Sequence, residues 1–399
     1  MFSAAIEHAD NYRLETVKAA LTRCFDSLGL DLRRIIKPGD TVFIKPNWVA
    51  SRWRESCPHK DNLYCVITHP AVIEAVCDFV SEILGSTGKI IIGDNPSIDA
   101  DFEELMTFTG IRERLRGKYK CPVEIKDLRP LICDDLKNYG KKFLMVSQPG
   151  DDKGTVQINL GRESLFYGID PANFRGVFDE REDTINSHTG ETQLYTFSRS
   201  IYDSDVFISI PKLKTHQKAG VTLNIKGLVG TVADKNQLVH WRTGYPETGG
   251  DEYPSREAYE SGMKARVKHR GSWPGNDTIW RMAADLYIAL HKRERRYLSI
   301  IDGITAGEGQ GPFCPTSRNA NTLIACENFL VADCAASRYM GFDPEKIRYL
   351  KYFLDSKFED LSLDDIRVFE DGRELHNFFG SDAKYLDFQT VKQWEYLKI

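Results

Sequence analysis

The chain has 399 residues, of which 41% are hydrophobic and 28% are charged. This length exceeds one ordinary hydrophobic core and suits one large or two smaller α/β domains. Because the formal net charge is −5, no global basic field favours a nucleic acid or an acidic membrane as a partner. The N-terminal residues do not resemble a signal peptide, and no window contains the roughly 18 apolar residues needed to span a bilayer. We therefore expect a cytoplasmic protein without a membrane partner.

The first third of the chain alternates predicted helices and strands. Apolar residues at helical spacing predict a helix over 14–28, and a second helix over 70–84 begins at a proline. The apolar runs TVFIKPN, KIIIGDN and CPVEIKDL predict buried strands over 41–47, 89–95 and 121–128. Such alternation implies a parallel sheet with right-handed crossovers.

The pattern weakens from about 130 to 199, where FLMVSQ and TVQINL predict strands, and recovers afterwards. The later elements are a strand over 205–211, a polar glycine-rich region over 231–276, a helix over 277–292, a strand at YLSIIDGI, and helices over 327–339 and 344–354. A region as long as 231–276 without obvious structure is usually a lid or a binding loop.

These elements predict an α/β fold with a mostly parallel, Rossmann-like sheet and a second α/β or β-rich lobe around a central cleft. The predicted division is an α/β core over 1–130, 200–230 and 295–355, a β-rich insertion or second lobe over 131–199, a lid or binding loop over 231–276, and a C-terminal extension over 356–399.

Polar residues follow five of the predicted strands. Lys45, Asp94, Asp127, Lys212 and Asp302 each lie at or just after the end of an apolar run. Open parallel sheets bind ligands outside the carboxyl ends of their strands. One such end is explained by the need of any strand to exit into polar sequence, but the repetition of Lys and Asp favours a binding site.

The stretch PKLKTHQKAGVTLNIKGLVG carries four lysines, one histidine and three glycines. Lys212 and Lys214 alternate along an extended chain and are predicted to point to the same face. The segment after Gly220 is predicted to begin a helix whose free N–H groups face the crevice, as in phosphate and carboxylate sites. Neither a P-loop nor a G-x-G-x-x-G motif is present. Each lysine alone is explained as a solvated surface charge, so the cluster carries the prediction.

A second glycine-rich stretch, IDGITAGEGQGP, contains Gly303, Gly307, Gly309 and Gly311. This density predicts a loop with tight turns or close backbone contact with a ligand. Glu308, within the stretch, is a candidate general base. Further along, Asp333 lies in an apolar helical segment and requires a partner.

These patterns predict an enzyme that acts on a small anionic metabolite by lysine and histidine acid–base chemistry, of the epimerase, lyase or isomerase type. The expected substrate is a phosphorylated or nucleotide-linked sugar, or a carboxylate. The candidate catalytic residues are Lys212, His216, Asp94 and Glu308. The candidate substrate-binding residues are Lys45, Asn47, Lys214, Thr215, Lys226, Gly227, Asp302 and Gly309.

A divalent metal is a possible cofactor, although the sequence does not identify one. His240, Asp251 and Glu252 offer mixed histidine and carboxylate ligands, for which a helix cap or a salt bridge is the alternative explanation. The set Cys57, His59, Cys65 and His69 matches no standard zinc spacing.

The nine cysteines are scattered and never form C-x-x-C. We therefore expect neither a disulfide framework nor an iron–sulfur cluster bound by one local run, and most thiols are predicted to be buried.

Several motifs together resemble domain-of-unknown-function family 362. They are KPN after the first strand, THP, GDNP, PKLKTH with TLNIKGLVG, IDGITAGEGQGP and VADCAASRYMGFDP, and the resemblance extends from about Lys45 to Leu350. Some members of that family carry a ferredoxin-like module with cysteine-ligated clusters, and this chain lacks those cysteines. The segment DKNQLVHWRTGYPETGGDEYP is similar to a subgroup that we associate with polysaccharide or secondary-metabolite gene neighbourhoods. A more distant similarity of arrangement, without matching motifs, is to the nickel-pincer lactate racemase family.

Two other functions stay open from the sequence. One is a redox protein that uses a metal or an iron–sulfur cluster, for which a separate ferredoxin would be the partner. The other is a non-catalytic carrier that binds a cofactor for another enzyme.

Overall fold

The structure is a computed structural model that describes residues 2–133, 145–177, 181–380 and 385–399. Its strands are β1 (Phe2–His8), β2 (Thr41–Pro46), β3 (Lys89–Asp94), β4 (Val123–Asp127), β5 (Leu131–Cys133), β6 (Met145–Ser147), β7 (Thr155–Asn159), β8 (Phe174–Arg175), β9 (Leu194–Ser198), β10 (Val206–Ile210), β11 (Lys212–His216), β12 (Gly220–Val221), β13 (Trp241–Arg242), β14 (Arg296–Gln310), β15 (Cys314–Cys326), β16 (Ile366–Glu370) and β17 (Arg373–Glu374). Its α-helices are α1 (Leu14–Leu28), α2 (Pro70–Leu84), α3 (Phe102–Thr109), α4 (Ile111–Leu115), α5 (Arg181–Asn186), α6 (Arg199–Tyr202), α7 (Leu223–Gly227), α8 (Arg256–Ala265), α9 (Ile279–Leu290), α10 (Phe329–Met340) and α11 (Arg348–Asp355). The predicted strand FLMVSQ begins outside the described residues.

One large mixed sheet organises the described chain. Its main order is β17-β16-β1-β15-β14-β10-β2-β3-β4, and β11 pairs with β14. The run β14-β10-β2-β3-β4 is parallel, whereas β15 is antiparallel to both β1 and β14. Small antiparallel pairs form between β5 and β6, β7 and β9, and β8 and β13. The predicted α/β fold with a mostly parallel sheet is confirmed, and the division into lobes stays a prediction.

The central strands are buried on both faces, and this explains their apolar sequences. In β2, Val42 and Ile44 belong to the core that includes α1 and α2, whereas Phe43 belongs to the core that includes α9 and α10. The first two helices begin and end at the predicted residues. Pro70 occupies the first turn of α2, and Gly29, with a φ of 59°, ends α1.

The predicted glycine-rich loop at 303–311 is wrong, because β14 continues through it to Gln310. β14 and β15 form a long hairpin instead. Gly303 and Gly307 permit close packing within the strand, whereas Gly311 lies in the hairpin turn. A Cβ on Gly307 would lie 2.5 Å from the carbonyl oxygen of Cys65, and one on Gly303 would lie 2.8 Å from Leu213.

The prediction of free helical N–H groups after Gly220 is also wrong. α7 does begin there, but the backbone N–H groups of Asn224 and Ile225 both donate to the Asp333 carboxylate, at 2.9 Å each. The Asn224 side chain donates to the same carboxylate at 2.8 Å. Asp333 therefore has the partners that its buried position requires, and it fixes the start of α7.

One cysteine pair departs from the prediction. Cys57 and Cys314 form a disulfide although 257 residues separate them, because the segment after β2 meets the tip of the β14–β15 hairpin. The other seven cysteines are buried, as predicted. The disulfide removes Cys57 from the set that also contained His59, Cys65 and His69. Among the described residues, no helix has the length and apolar character needed to cross a membrane.

Candidate functional site

A cavity of about 360 Å³ opens at the carboxyl ends of β2 and β3. Lys45 and Asn47 reach it from the end of β2, and Asp94 and Asn95 reach it from the end of β3. Residues of β11, α7 and the 231–276 region complete the walls. This is the edge at which parallel α/β sheets bind ligands.

The cavity wall is strongly basic. The cations on it are Lys45, Arg54, Lys214, Lys218, Lys226, Lys235, Lys268 and Arg270. Asp94 is the one carboxylate among the described residues of the wall. It lies 2.9 Å from Lys45 Nζ and accepts the backbone N–H of Trp48 at 2.8 Å. The single negative charge of the wall is therefore already paired with Lys45.

Two of the buried lysines are held by neutral oxygen atoms. Lys214 Nζ donates to the carbonyl oxygens of Val66 at 2.7 Å and Pro312 at 3.2 Å. Lys235 Nζ donates to the carbonyl oxygen of Asn95 at 3.0 Å. Carbonyl dipoles orient these ammonium groups, but they do not cancel the charge.

Lys226 lies on α7 beside Gly227, and both residues line the cavity. Its side chain is 8% exposed. Within the described part of the chain, neither a hydrogen bond nor an ion pair holds its ammonium group. The wall is also tight here, since a Cβ on Gly230 would lie 2.7 Å from Lys45 Nζ. Lys226 is therefore a buried cavity lysine whose charge no described group compensates.

The environment changes the basicity of these amines. Burial lowers the pKa of Lys214, Lys218 and Lys235 to about 7 and the pKa of Lys226 to about 8. Neighbouring cations add to burial, because Lys45 lowers the pKa of Lys226 and Lys226 lowers that of Lys218. Near neutral pH these groups can bind an anion as ammonium ions or accept a proton as amines.

Several buried polar atoms on lining residues have no hydrogen-bond partner among the described residues. They are Asn47 Nδ2, Asn95 Oδ1, Thr222 Oγ1 and His269 Nδ1. Buried polar groups in native proteins are almost always paired. These atoms are available to form hydrogen bonds with a polar ligand in the cavity.

Three histidines line the cavity, namely His216, His240 and His269, and the first two have a hydrogen-bond partner on Nδ1. His216, at the end of β11, receives the backbone N–H of Lys218 on Nδ1 at 3.0 Å. His240 holds its Nδ1 2.7 Å from the carbonyl oxygen of Leu238. Burial and then nearby lysines keep the pKa of both imidazoles well below the usual value. Both rings are therefore neutral at physiological pH.

Lys212, a predicted catalytic residue, does not line the cavity. Its Nζ lies 2.8 Å from Asp302 Oδ2 and donates to the Tyr12 hydroxyl at 3.0 Å. Asp302 also accepts the Tyr12 hydroxyl at 2.8 Å and the backbone N–H of His69 at 2.9 Å. Because these groups satisfy one another in a fully buried network, Lys212 and Asp302 have a structural environment.

Three other predicted residues also lie outside the cavity wall. Glu308 pairs with Arg318 at 2.9 Å and accepts the backbone N–H of Gln389 at 2.9 Å. The Thr215 hydroxyl donates to the Gly309 carbonyl oxygen at 3.0 Å. These contacts hold the hairpin to its neighbours.

The predicted metal ligands do not form a set. Asp251 accepts the hydroxyl of Thr278 and, at 3.1 Å, the backbone N–H of Asp277, so it serves the start of α9. Only His240 of the predicted trio lines the cavity, while Glu252 lies outside it. No group of three or more His, Cys, Asp or Glu residues in the described ranges could hold a metal ion.

Several cavity residues were not singled out from the sequence. Lys218 lies in the same basic stretch as Lys214, and its Nζ is 5.2 Å from the ring centre of Trp241. Lys235 and the basic segment 268–270 come from the 231–276 region. The sequence feature that could have indicated the residues from this region is its content of basic and aromatic side chains, since the region was already predicted to be a binding loop.

The comparisons with known proteins identify the family. The model of the family described as "Domain of unknown function (DUF362)" matches residues 42–132 and 130–338. Since these ranges cover most of the chain, the chain belongs to this family, as its motifs indicated. A thylakoid-associated protein from Synechocystis sp. is 24% identical over 345 residues, which cover 86% of this chain and 76% of the relative.

Among solved structures, the lactate racemase apoprotein from Thermoanaerobacterium thermosaccharolyticum matches 84% of this chain with a TM-score of 0.37 and 11% identity. The match covers 57% of the racemase chain. A likeness of this size carries no argument about function.

Proposed function

We propose that this member of the DUF362 family is an enzyme that binds a small anionic metabolite in the basic cavity and moves a proton on it. The observation that carries the proposal is that three buried lysines of the wall, Lys214, Lys226 and Lys235, form no ion pair with a carboxylate among the described residues. Uncompensated buried cations are costly, and a bound phosphate or carboxylate would compensate them through charge-assisted hydrogen bonds.

The size of the cavity narrows the substrate class. A volume of about 360 Å³ lies at the small end of the range of roughly 300–1,000 Å³ found for ligand pockets. This favours a phosphorylated sugar or a small carboxylate over a nucleotide-linked sugar. Asn47, Lys226 and Lys235 are the proposed anion-binding residues.

Proton transfer next to a carbonyl group, as in an isomerase, epimerase or lyase, suits the remaining lining groups. The neutral imidazole of His240 can accept a proton, and Lys214 on β11, whose pKa is about 7, can bind the anion as an ammonium ion. His216 adds a neutral imidazole on the same strand. We assign no contact with the substrate to Lys212, Asp302 or Glu308. A cytoplasmic location remains a prediction from the sequence.

The first test measures binding and chemistry separately. The melting temperature is recorded with pyrophosphate, sugar phosphates, nucleotide sugars and hydroxycarboxylates. Each stabilising compound is then incubated with the protein in deuterium oxide, and proton NMR follows the loss of C–H signals. We expect at least one anion to raise the melting temperature and to exchange a C–H proton.

Two variants locate the effect. Lys226→Met removes a cation from the cavity, and Lys264→Met removes an exposed lysine on α8 as the matched control. The anion should stabilise the control and not Lys226→Met. Equal stabilisation of both variants would place the anion elsewhere and contradict the proposal. Stabilisation without any exchange would favour the carrier function.

A further inference from the structure

Two of the three cavity histidines, His216 and His240, have opposite hydrogen-bond polarity. In His216, Nδ1 receives the backbone N–H of Lys218 at 3.0 Å. A backbone N–H can only donate, so this Nδ1 carries a lone pair, and a neutral ring must then carry its proton on Nε2. His216 therefore offers an Nε2–H donor.

His240 is the reverse case. Its Nδ1 lies 2.7 Å from the carbonyl oxygen of Leu238, and a carbonyl oxygen can only accept. Nδ1 must therefore be protonated, and the neutral ring carries a lone pair on Nε2. Among the described residues, no hydrogen bond occupies the Nε2 atom of either ring. His240 therefore offers an acceptor, or a base, where His216 offers a donor.

Both rings belong to one site. His216 and His240 both line the basic cavity. They are also near each other, since the pKa of His216 is lowered first by burial, then by lysines, and also by His240. The carboxylates once considered as bases are committed, since Asp94 pairs with Lys45 and Asp302 pairs with Lys212.

From this geometry we infer that His240 is the general base of the proposed reaction and that His216 is the electrophile that polarises the substrate carbonyl. The inference rests on the proposed function, because it needs a carbonyl-containing anion held by the lysines. Both roles follow from fixed backbone groups, Lys218 N–H and Leu238 C=O, that set the tautomers before any ligand arrives.

The step is balanced without a co-reactant. His240 Nε2 takes a proton from the carbon next to the carbonyl, and the C–H electron pair moves to form the enediolate or enolate. The Nε2–H of His216 donates to the oxygen on which negative charge develops. The hydroxyl proton of the deprotonated carbon passes to the former carbonyl oxygen, and the new Nε2–H of His240 gives its proton to the former carbonyl carbon, so the product is an aldose–ketose isomer of the substrate.

The basicity of His240 depends on whether an anion occupies the cavity. After burial, Lys218, Lys226 and Lys235 are the neighbours that lower the pKa of His240. A bound anion neutralises part of that charge, so His240 becomes a stronger base when the site is filled. His216 stays neutral and keeps its donor proton, which suits an electrophile and not a proton shuttle.

The tautomers are tested first, on the unliganded full-length chain. Long-range ¹H–¹⁵N correlation spectra at neutral pH distinguish protonated from unprotonated ring nitrogens, and His216→Asn and His240→Asn variants assign the signals. We expect a protonated Nε2 in His216 and a protonated Nδ1 in His240. The same tautomer in both rings, or a charged ring, would overturn the inference whatever the substrate is.

Substitutions then separate the two roles. Asn reproduces the δ position of histidine and Gln reproduces the ε position, so His240→Asn keeps a donor to Leu238 and loses the base. We expect His240→Asn to slow deuterium exchange into a stabilising sugar phosphate or hydroxycarboxylate by about 100-fold or more. Anion binding by calorimetry should change less than threefold.

For His216, Gln keeps an ε-position donor and Asn does not. His216→Gln should therefore retain at least tenfold more exchange activity than His216→Asn. Exchange that is unchanged in His240→Asn would overturn the base assignment, and equal losses in both His216 variants would overturn the electrophile assignment. Failure of the wild-type protein to bind any anion would instead reject the proposed function, because the tautomer spectra are read without a ligand.

Discussion

Lys212 and Lys214 lie two residues apart on β11, and both are fully buried, yet they have opposite surroundings. Lys212 is 2.8 Å from the carboxylate of Asp302 and belongs to a closed network. Lys214 is held by the carbonyl oxygens of Val66 and Pro312, and it lines the cavity. The first charge is balanced within the protein, and the second is oriented without being balanced.

This difference distinguishes a structural ion pair from a binding site. A charge that the fold has already paired gains little from a ligand, whereas an oriented and unbalanced charge gains a counter-charge. The same criterion groups Lys226 and Lys235 with Lys214 and separates all three from Lys212. The four lysines have the same side chain and differ in the groups that surround their ammonium ions.

The largest effect is expected from breaking the closed network. Asp302→Asn keeps the size of the side chain but leaves Lys212 as an unpaired buried charge. We expect the free energy of unfolding to fall by about 3–5 kcal/mol, measured by urea denaturation. The double substitution Lys212→Met with Asp302→Leu removes both charges and should recover most of that loss. A loss below about 1 kcal/mol for Asp302→Asn would show that Lys212 is not stabilised by this carboxylate.

A smaller effect is expected at the start of α7, which positions Lys226. Asp333→Asn replaces the carboxylate that accepts the backbone N–H groups of Asn224 and Ile225. The loss of charge-assisted bonds should cost about 1–3 kcal/mol and should also weaken pyrophosphate binding, because the helix carries Lys226. Calorimetry and urea denaturation measure the two effects. Unchanged pyrophosphate binding in a destabilised variant would show that the Asp333 cap stabilises the fold without positioning Lys226.

The smallest effect concerns pH. The pKa of Lys226 is about 8 in the folded chain, below the ordinary value of 10.5. Between these values the unfolded chain binds more protons, so the penalty is fully present below about pH 8 and decreases as pH rises. We expect the free energy of unfolding of the unliganded protein to increase by about 1 kcal/mol between pH 7 and 8.5.

Other groups titrate in the same interval, so the comparison with Lys226→Met isolates this lysine. The variant should show a shallower increase than the wild-type chain, while Lys264→Met should follow the wild type. A steeper or equal slope in Lys226→Met would contradict the assigned pKa.

The sequence predicted the elements whose signals are local. The apolar runs of β2, β3 and β10 and the helix from Pro70 to Leu84 need no knowledge of distant residues. The family motifs and the basic stretch also directed attention to Lys214, His216 and Lys226.

What the sequence could not predict depends on contacts between distant segments. Alternation along a strand placed Lys212 and Lys214 on one face, but the pairing of β11 with β14 shifts register between them, opposite Asp302 and Gly307. This irregularity decides which lysine meets a carboxylate. The Cys57–Cys314 bond is likewise determined by tertiary structure.

The central claim is that Lys226 is an unbalanced cation that an anion completes. The most direct measurement is the unfolding free energy of Lys226→Met and wild type at pH 7, each with and without pyrophosphate. We predict that the unliganded variant is more stable than the wild type by about 1 kcal/mol or more, and that pyrophosphate no longer stabilises it. A variant that is less stable than the wild type and is stabilised by pyrophosphate to the same extent would contradict the claim.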